Sequence, residues 1–224
     1  MKKICLLVAS LVIAGGSLFA GDFYNGDVQF QAGLGLNKVI IEDEPKDITS
    51  KEFNLGIQSY HLFKPIDLVG VGFMAGFNGG VGKTDNWKSL GNNATYEDSL
   101  AVSLNFEIGP AVGLYLGNIV RIGFNIGYNT GWSFNTPENF KISSGNGYTN
   151  ISTSYNGLSL GLQGKFFPNS RVNPVIGWRL VKGFSDSVEI IKGGNARKSY
   201  KMDTYSYKFD LTQNVIYAAL ALSW

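Results

Sequence analysis

From Leu100 to Leu116 every second residue is apolar. Leu100, Val102, Leu104, Phe106, Ile108, Pro110, Val112, Leu114 and Leu116 share one face, and Ala101, Ser103, Asn105, Glu107, Gly109, Ala111, Gly113 and Tyr115 the other. A two-residue period belongs to a strand. The same alternation returns over residues 28–37, 53–58, 69–78, 120–129, 158–163, 172–180 and 216–224, which makes eight segments in all. The frequent glycines speak against helices, so the pattern predicts eight strands. An even number lets an antiparallel sheet close with both chain ends on one side.

The connections alternate in length. Short ones fall near Lys64–Asp67, Gly117–Asn118 and Phe167–Arg171, with Gly, Pro or Asn turn chemistry. Long ones fall near 38–50, 79–98, 135–150 and 183–204 and are rich in Asn, Gly, Ser, Lys and Asp. Tight turns at one end and long loops at the other are the layout of a transmembrane barrel. The fold class expected is therefore all-β: an eight-stranded antiparallel transmembrane β-barrel. Pro110 and Pro174 fall within strands, where a closed barrel pairs every amide. Each marks a bulge or a rim position, with a broken ladder bond expected at both.

A soluble eight-stranded barrel also alternates, with its apolar face inward. Its outer face is usually dense in Lys, Glu, Thr and Arg. Here the polar face is mostly Gly, Ser, Asn and Gln, with isolated charges at Glu52, Glu107, Arg121, Lys165 and Arg179. Small residues suit a narrow lumen, and Tyr60, Met74 and Arg179 are sized to fill space that Gly leaves. The apolar face carries almost no charge, as lipid requires. Tyr128, Trp132 and Phe134 lie toward the long-loop end, and Phe63, Phe166 and Trp224 at the other. Two aromatic girdles mark two membrane interfaces.

The first residues do not share the alternation. MKKICLLVASLVIAGGSLFA has basic Lys2 and Lys3, an apolar run and small residues before Gly21. It reads as a secretory signal peptide over 1–20, with 21–224 as the barrel. Cleavage after Ala20 is expected, with cleavage after Gly16 the alternative. The apolar run is too short for a spanning helix. The leader takes two of 19 basic residues, none of 17 acidic ones, and the only cysteine, Cys5. What remains is charge-balanced, without the basic field of a nucleic-acid binder, without disulfides and without thiolate metal sites.

NVIYAALALSW closes the chain, with Ile216, Ala218, Leu220 and Leu222 on one face and aromatic Trp224 last. This resembles the C-terminal strand of bacterial outer-membrane barrels, which the barrel assembly machinery reads. There Phe is commoner than Trp at the end. Leader, eight segments and final strand together resemble the small eight-stranded outer-membrane barrels, typified by outer-membrane proteins X and W and the transmembrane domain of outer-membrane protein A. The resemblance implies an outer-membrane location, periplasmic termini and the assembly machinery and outer-membrane lipids as partners. It does not choose an activity.

Candidate chemistry is sparse. His61 is the only histidine and shares the outward face of its strand with Phe63, near the short turns. Barrel enzymes resembling this architecture use His at the opposite rim, so His61 reads as an interfacial side chain. FNGGVGKT (77–84) ends like a phosphate-binding loop, but Phe77 stands where that motif needs Gly and no helix follows; it reads as a loop coincidence. Glu42, Asp43, Glu44 and Asp47 make an acidic loop without spaced calcium ligands. Lys192, Arg197, Lys198 and Lys201 make the fourth loop basic. No catalytic set, metal site or cofactor is expected.

The lumen charges carry the sharper expectation. An ion inside a barrel needs a partner or water. Counted from the short turns, Glu107 and Arg179 lie at similar heights, Glu52 slightly higher, and Arg121 and Lys165 near the turns. Glu107 is expected to point inward and pair with a base, Arg179 first. The functional reading is a non-enzymatic barrel that anchors its long loops for a surface ligand. The alternative is a channel for small or hydrophobic solutes, as the resemblance to outer-membrane protein W implies.

Overall fold

The computed structural model describes residues 24–41, 48–85, 87–88, 95–96, 99–137, 149–186, 188–193, 200–205 and 208–224. The leader assigned to 1–20 and the acidic loop lie outside these residues. Eight long strands form the barrel: β1 (Tyr24–Ile41), β2 (Ile48–Ile66), β3 (Val69–Asp85), β4 (Ser99–Leu116), β5 (Val120–Pro137), β6 (Thr149–Phe166), β7 (Val172–Ser185) and β8 (Phe209–Ser223). Each pairs antiparallel with its neighbour, and β1 pairs with β8, so the sheet closes. Closure joins the first of the eight strands to the last, the condition for crossing lipid with strands. The fold is an eight-stranded antiparallel transmembrane β-barrel.

Alternation fixes which face each residue takes. Phe30, Leu34 and Leu36 of β1 are exposed, while Gln29, Gln31 and Asn37 are buried. The even face of Leu100–Leu116 is outward and carries Leu104, Phe106 and Ile108, while Ser103, Asn105 and Glu107 face the lumen. The core of this molecule is thus polar and its surface apolar, the reverse of a soluble domain.

The strands run further than the apolar pattern predicts. Stretches assigned to loops, such as Lys38–Ile41 and Gly79–Asp85, belong to β1 and β3. FNGGVGKT is therefore strand, not loop, and its resemblance to a phosphate loop has no structural counterpart. At the short-turn end, Lys64–Ile66 continues β2 past a register shift after Phe63, leaving Asp67–Leu68 as the turn. Two hairpins add to the eight strands: Trp87–Lys88 with Thr95–Tyr96, and Val188–Gly193 with Tyr200–Tyr205. The second extends the sheet by pairing Glu189–Lys192 with the start of β6.

Neither proline makes a bulge. Pro110 pairs with Phe73 of β3, but the ladder to β5 skips Gly109 and Pro110 and resumes in the same register at Ala111. Proline has no amide hydrogen to give, and the ladder is interrupted there. Pro174 pairs with Leu220 of β8, while the ladder to β6 ends at Val175, so it stands at the rim.

Candidate functional site

The lumen is the first place to look for chemistry, because most of the buried polar strand residues are directed there. Glu107 on β4 is fully buried, and Arg179 on β7 reaches it with Nη1 at 3.4 Å from Oε1. Asn78 Nδ2 donates to the same oxygen at 3.2 Å, and Gln58 Nε2 donates to it as well. Gln31 in turn donates to Gln58 Oε1. Donors from β2, β3 and β7 therefore converge on one carboxylate from β4. Charge-assisted bonds of this kind are the strong ones, and they offset the desolvation of a buried ion.

A second cluster lies nearer the short turns. Arg121 on β5 and Lys165 on β6 are direct cross-strand neighbours, an arrangement that repels. Asp27 on β1 crosses the lumen to both, with Oδ2 at 2.8 Å from Arg121 Nη1 and 2.9 Å from Lys165 Nζ. Gln29 Nε2 holds the other Asp27 oxygen at 2.9 Å. Lys165 also donates to Ser223 Oγ at 2.6 Å, and Arg121 to Asn25 Oδ1 at 3.1 Å. The Arg121 guanidinium lies 5.6 Å from the centre of the Tyr60 ring, within cation–π range.

Glu52 joins neither cluster. Its carboxylate accepts from Ser103 Oγ at 2.6 Å and Ser50 Oγ at 3.2 Å. Among the described residues it has hydroxyl partners rather than a cation. The five charges read as one candidate network thus divide into three groups at three heights. The residue missing from that list is Asp27. It stands one position before the first apolar residue of its segment, and parity with Gln29 is the signal that places it in the lumen.

Between the charged groups the lumen is packed. Tyr60, Tyr155, Tyr217 and Met74 are all buried inside it. Tyr217 fits against Gly177 and Gly33, and Tyr155 against Gly131 and Gly183; a β-carbon at any of the four would collide with the ring or its stem. Tyr60 Oη donates to Asn125 Oδ1 at 3.0 Å. Toward the long-loop end, Val39, Val181, Phe209 and Leu211 turn inward and are buried, and Tyr155 stacks on Phe209 at 6.4 Å. The lumen is a core with an apolar cap.

His61 lies outside the barrel wall, as its parity requires, yet only 8% of it is exposed. Its ring stacks on Phe73 at 4.8 Å, and Trp224 meets it edge-on at 6.5 Å. Tyr24 Oη bonds to Nδ1, and Ser59 Oγ lies 2.9 Å from Nε2. Both ring nitrogens are occupied within a rim cluster that spans the β8–β1–β2–β3 seam. In the terminal strand Ile216, Leu220 and Leu222 are exposed outward with Ala218, and Trp224 is half-buried. The basic side chains of the fourth loop lie outside the described side chains. Among the described residues no group of His, Cys, Asp and Glu is placed to hold a metal.

No family model matches the chain, and no curated protein matches it in sequence. Solved structures do match in shape. A major outer membrane protein from Thermus thermophilus aligns with TM-score 0.52 at 12% identity, over 88% of this chain and 99% of that one. The outer membrane protein OprG from Pseudomonas aeruginosa aligns with TM-score 0.52 at 10% identity, over 91% and 98%. The outer membrane protease OmpT from Escherichia coli aligns with TM-score 0.49 at 8% identity, over 92% and 98%. At these identities the likeness bears on the fold alone. The chain has the fold of the small bacterial outer-membrane β-barrels.

Proposed function

We propose that this protein is a closed, non-enzymatic barrel of the outer membrane that anchors four long connections at the cell surface. Its termini and short turns face the periplasm. The connections, around 42–47, 86–98, 138–148 and 186–208, meet a surface ligand or a neighbouring protein. Nucleic acid is no part of this reading. Delivery would use the C-terminal strand with Trp224 as the signal for the barrel assembly machinery. The apolar outer wall and the two aromatic rims support the membrane location. Because unrelated functions share this fold, the choice of activity rests on the interior.

One observation carries that choice: among the described residues, tyrosines seated on glycines, two ion-paired clusters and an apolar cap occupy the lumen at successive heights. Many lumen glycines would leave a tunnel only if nothing occupied their space, and here large side chains occupy it. Eight strands enclose little more than their own side chains. Planar-bilayer recording of the refolded protein tests this. Silence is the expected result; stable, discrete openings would support the channel reading instead. Hydrolysis of peptide or lipid ester by the purified protein would overturn the non-enzymatic reading.

A further inference from the structure

We propose that Glu52, Asn54 and Ser103 form a site inside the barrel for a hard monovalent cation of the sodium type. The lumen carboxylates Asp27 and Glu107 each have a cation within 3.4 Å. Glu52 is only 4% exposed, and its partners Ser103, Ser50 and Asn37 are all neutral. A carboxylate taken out of water needs positive charge beside it. The Asp27 cluster has one cation more than it has anions, but it lies nearer the short turns and its bonds reach none of these partners.

The strands around Glu52 gather oxygens. Both of its ladder neighbours are glycines, Gly35 on β1 and Gly82 on β3, so no flanking side chain stands beside the carboxylate. One pleat lower, Gly80 lies between Asn54 of β2 and Ser103 of β4. A β-carbon at Gly80 would meet Glu52 Oε2, and would stand 2.7 Å from Ser103 Oγ and 2.9 Å from Asn54 Oδ1. The three oxygens thus converge from two strands on one small space over a glycine.

Nothing there supplies the positive end. A carboxylate and an amide carbonyl only accept hydrogen bonds. Asn54 is buried, its Nδ2 donates to the Glu52 backbone carbonyl at 3.3 Å, and its Oδ1 has no donor. Ser103 Oγ donates to Glu52 Oε2 at 2.6 Å and accepts from Gln213 Nε2 at 3.4 Å, which leaves it one lone pair. Oxygens gathered in this way repel one another unless a positive charge lies among them. Asn37 Oδ1 is likewise buried without a donor, and a half-turn of that amide presents it to the same carboxylate as a fourth ligand.

The donor set selects the ion. Carboxylate, hydroxyl and amide oxygens are hard ligands and suit a hard cation. One carboxylate is neutralised by one positive charge, whereas a divalent ion would leave a net charge buried in the lumen. The site does not depend on the surface-anchor reading, because an ion held here is bound rather than conducted.

The urea midpoint of the refolded full-length protein in neutral detergent tests the proposal. Sodium is varied at constant ionic strength, with choline, too large for the site, making up the difference. An ion that binds only the folded state raises stability with its concentration, so the folded-to-unfolded ratio is expected to rise by up to about tenfold for each tenfold in sodium. Glu52→Gln is expected to abolish this dependence and Asn54→Ala to weaken it, while Asp210→Asn, which removes an exposed carboxylate from the outer face, keeps it. Heat-modifiable gel migration confirms that each variant is folded. Relative to the parent, Glu52→Gln is expected to be less stable in sodium and no less stable in choline, a reversal that lost hydrogen bonds alone would not give. Equal parent midpoints in sodium and choline would overturn the proposal and leave Glu52 to a proton or a water molecule. An unchanged sodium dependence in Glu52→Gln would overturn it as well. If Glu52→Gln does not fold, the parent comparison and Asn54→Ala still decide.

Discussion

Tyr217 on β8 lies between two glycines, Gly177 on β7 and Gly33 on β1, each directly opposite it in its ladder. A β-carbon at Gly33 would stand 2.8 Å from Tyr217 Cβ, and one at Gly177 would overlap the ring. The lumen is thus packed by pairing its largest residues with its smallest across neighbouring strands. Gly177→Val is expected to destabilise the barrel by about 1–3 kcal/mol through overpacking. Gly164→Val is the control, because a β-carbon there meets nothing within 4 Å. The urea midpoint of the folded gel band measures both, and an equal midpoint for the two variants would contradict the packing.

If these rings close the lumen, removing them should open it. Tyr155→Ala with Tyr217→Ala deletes two rings at different heights and leaves the ladders intact. The doubly substituted protein is expected to conduct in planar bilayers where the parent is silent. The cost in stability is about 3–5 kcal/mol for each buried aromatic lost, so recordings need a variant first shown to be folded on a gel. Continued silence of a folded variant would place the barrier elsewhere, with the apolar cap around Phe209 and Leu211 the next segment to truncate.

Strand faces were legible in the sequence because lipid on one side and a narrow lumen on the other enforce period two at every level. Strand ends were not. Above the apolar band the outward positions become Lys38, Thr49, Lys51, Lys83 and Lys182, while Val39, Val181 and Leu211 turn inward, so the apolar-out, polar-in pattern breaks down while the ladder continues. Asp27 escaped for a related reason: it opens its segment ahead of any apolar residue. The burial of His61 was not legible at all, since it depends on Phe73 and Trp224 arriving from β3 and the chain end. Height along a strand survived better, because turns are easy to place. Counting from them sets Glu107 and Arg179 level, and they lie 3.4 Å apart.

Glu107→Gln leaves the Arg179 guanidinium buried without its carboxylate. Breaking a buried pair from one side costs about 3–5 kcal/mol, while replacing both members by well-packed neutral groups costs far less. Glu107→Gln and Arg179→Met are each expected to lower the urea midpoint sharply, and the double variant to lose less than their sum. Strict additivity in that cycle would mean that the two groups do not interact.

Asp27 answers for two cations, so its loss should be the more severe. In Asp27→Asn, Arg121 and Lys165 remain opposed across their ladder with no anion between them. The expected loss exceeds that of Glu107→Gln, and Lys165→Met added to Asp27→Asn is expected to recover part of it by removing one of the two repelling charges. If Lys165→Met makes the Asp27→Asn protein less stable still, the lysine contributes through Ser223 and its packing rather than through Asp27.

Trp224 offers a way to separate stability from delivery. Its backbone exchanges hydrogen bonds with Gly26 at 3.1 and 3.3 Å, and its indole covers Gly26 so closely that a β-carbon there would stand 2.6 Å from Nε1. The same ring meets His61 at 6.5 Å. The last residue therefore pins β1 and β2 at the seam where the barrel closes, which any lipid or detergent would reveal. Its proposed second role, as a signal for the assembly machinery, exists only in cells. Trp224→Phe is expected to preserve both roles. Trp224→Ala should lower the urea midpoint of the refolded protein modestly, because the ring is half-buried, but should reduce the outer-membrane fraction in cells well beyond what Gly26→Ala does at matched stability. If the two variants reach the membrane in proportion to their measured stability, Trp224 acts as packing alone and the delivery role is lost.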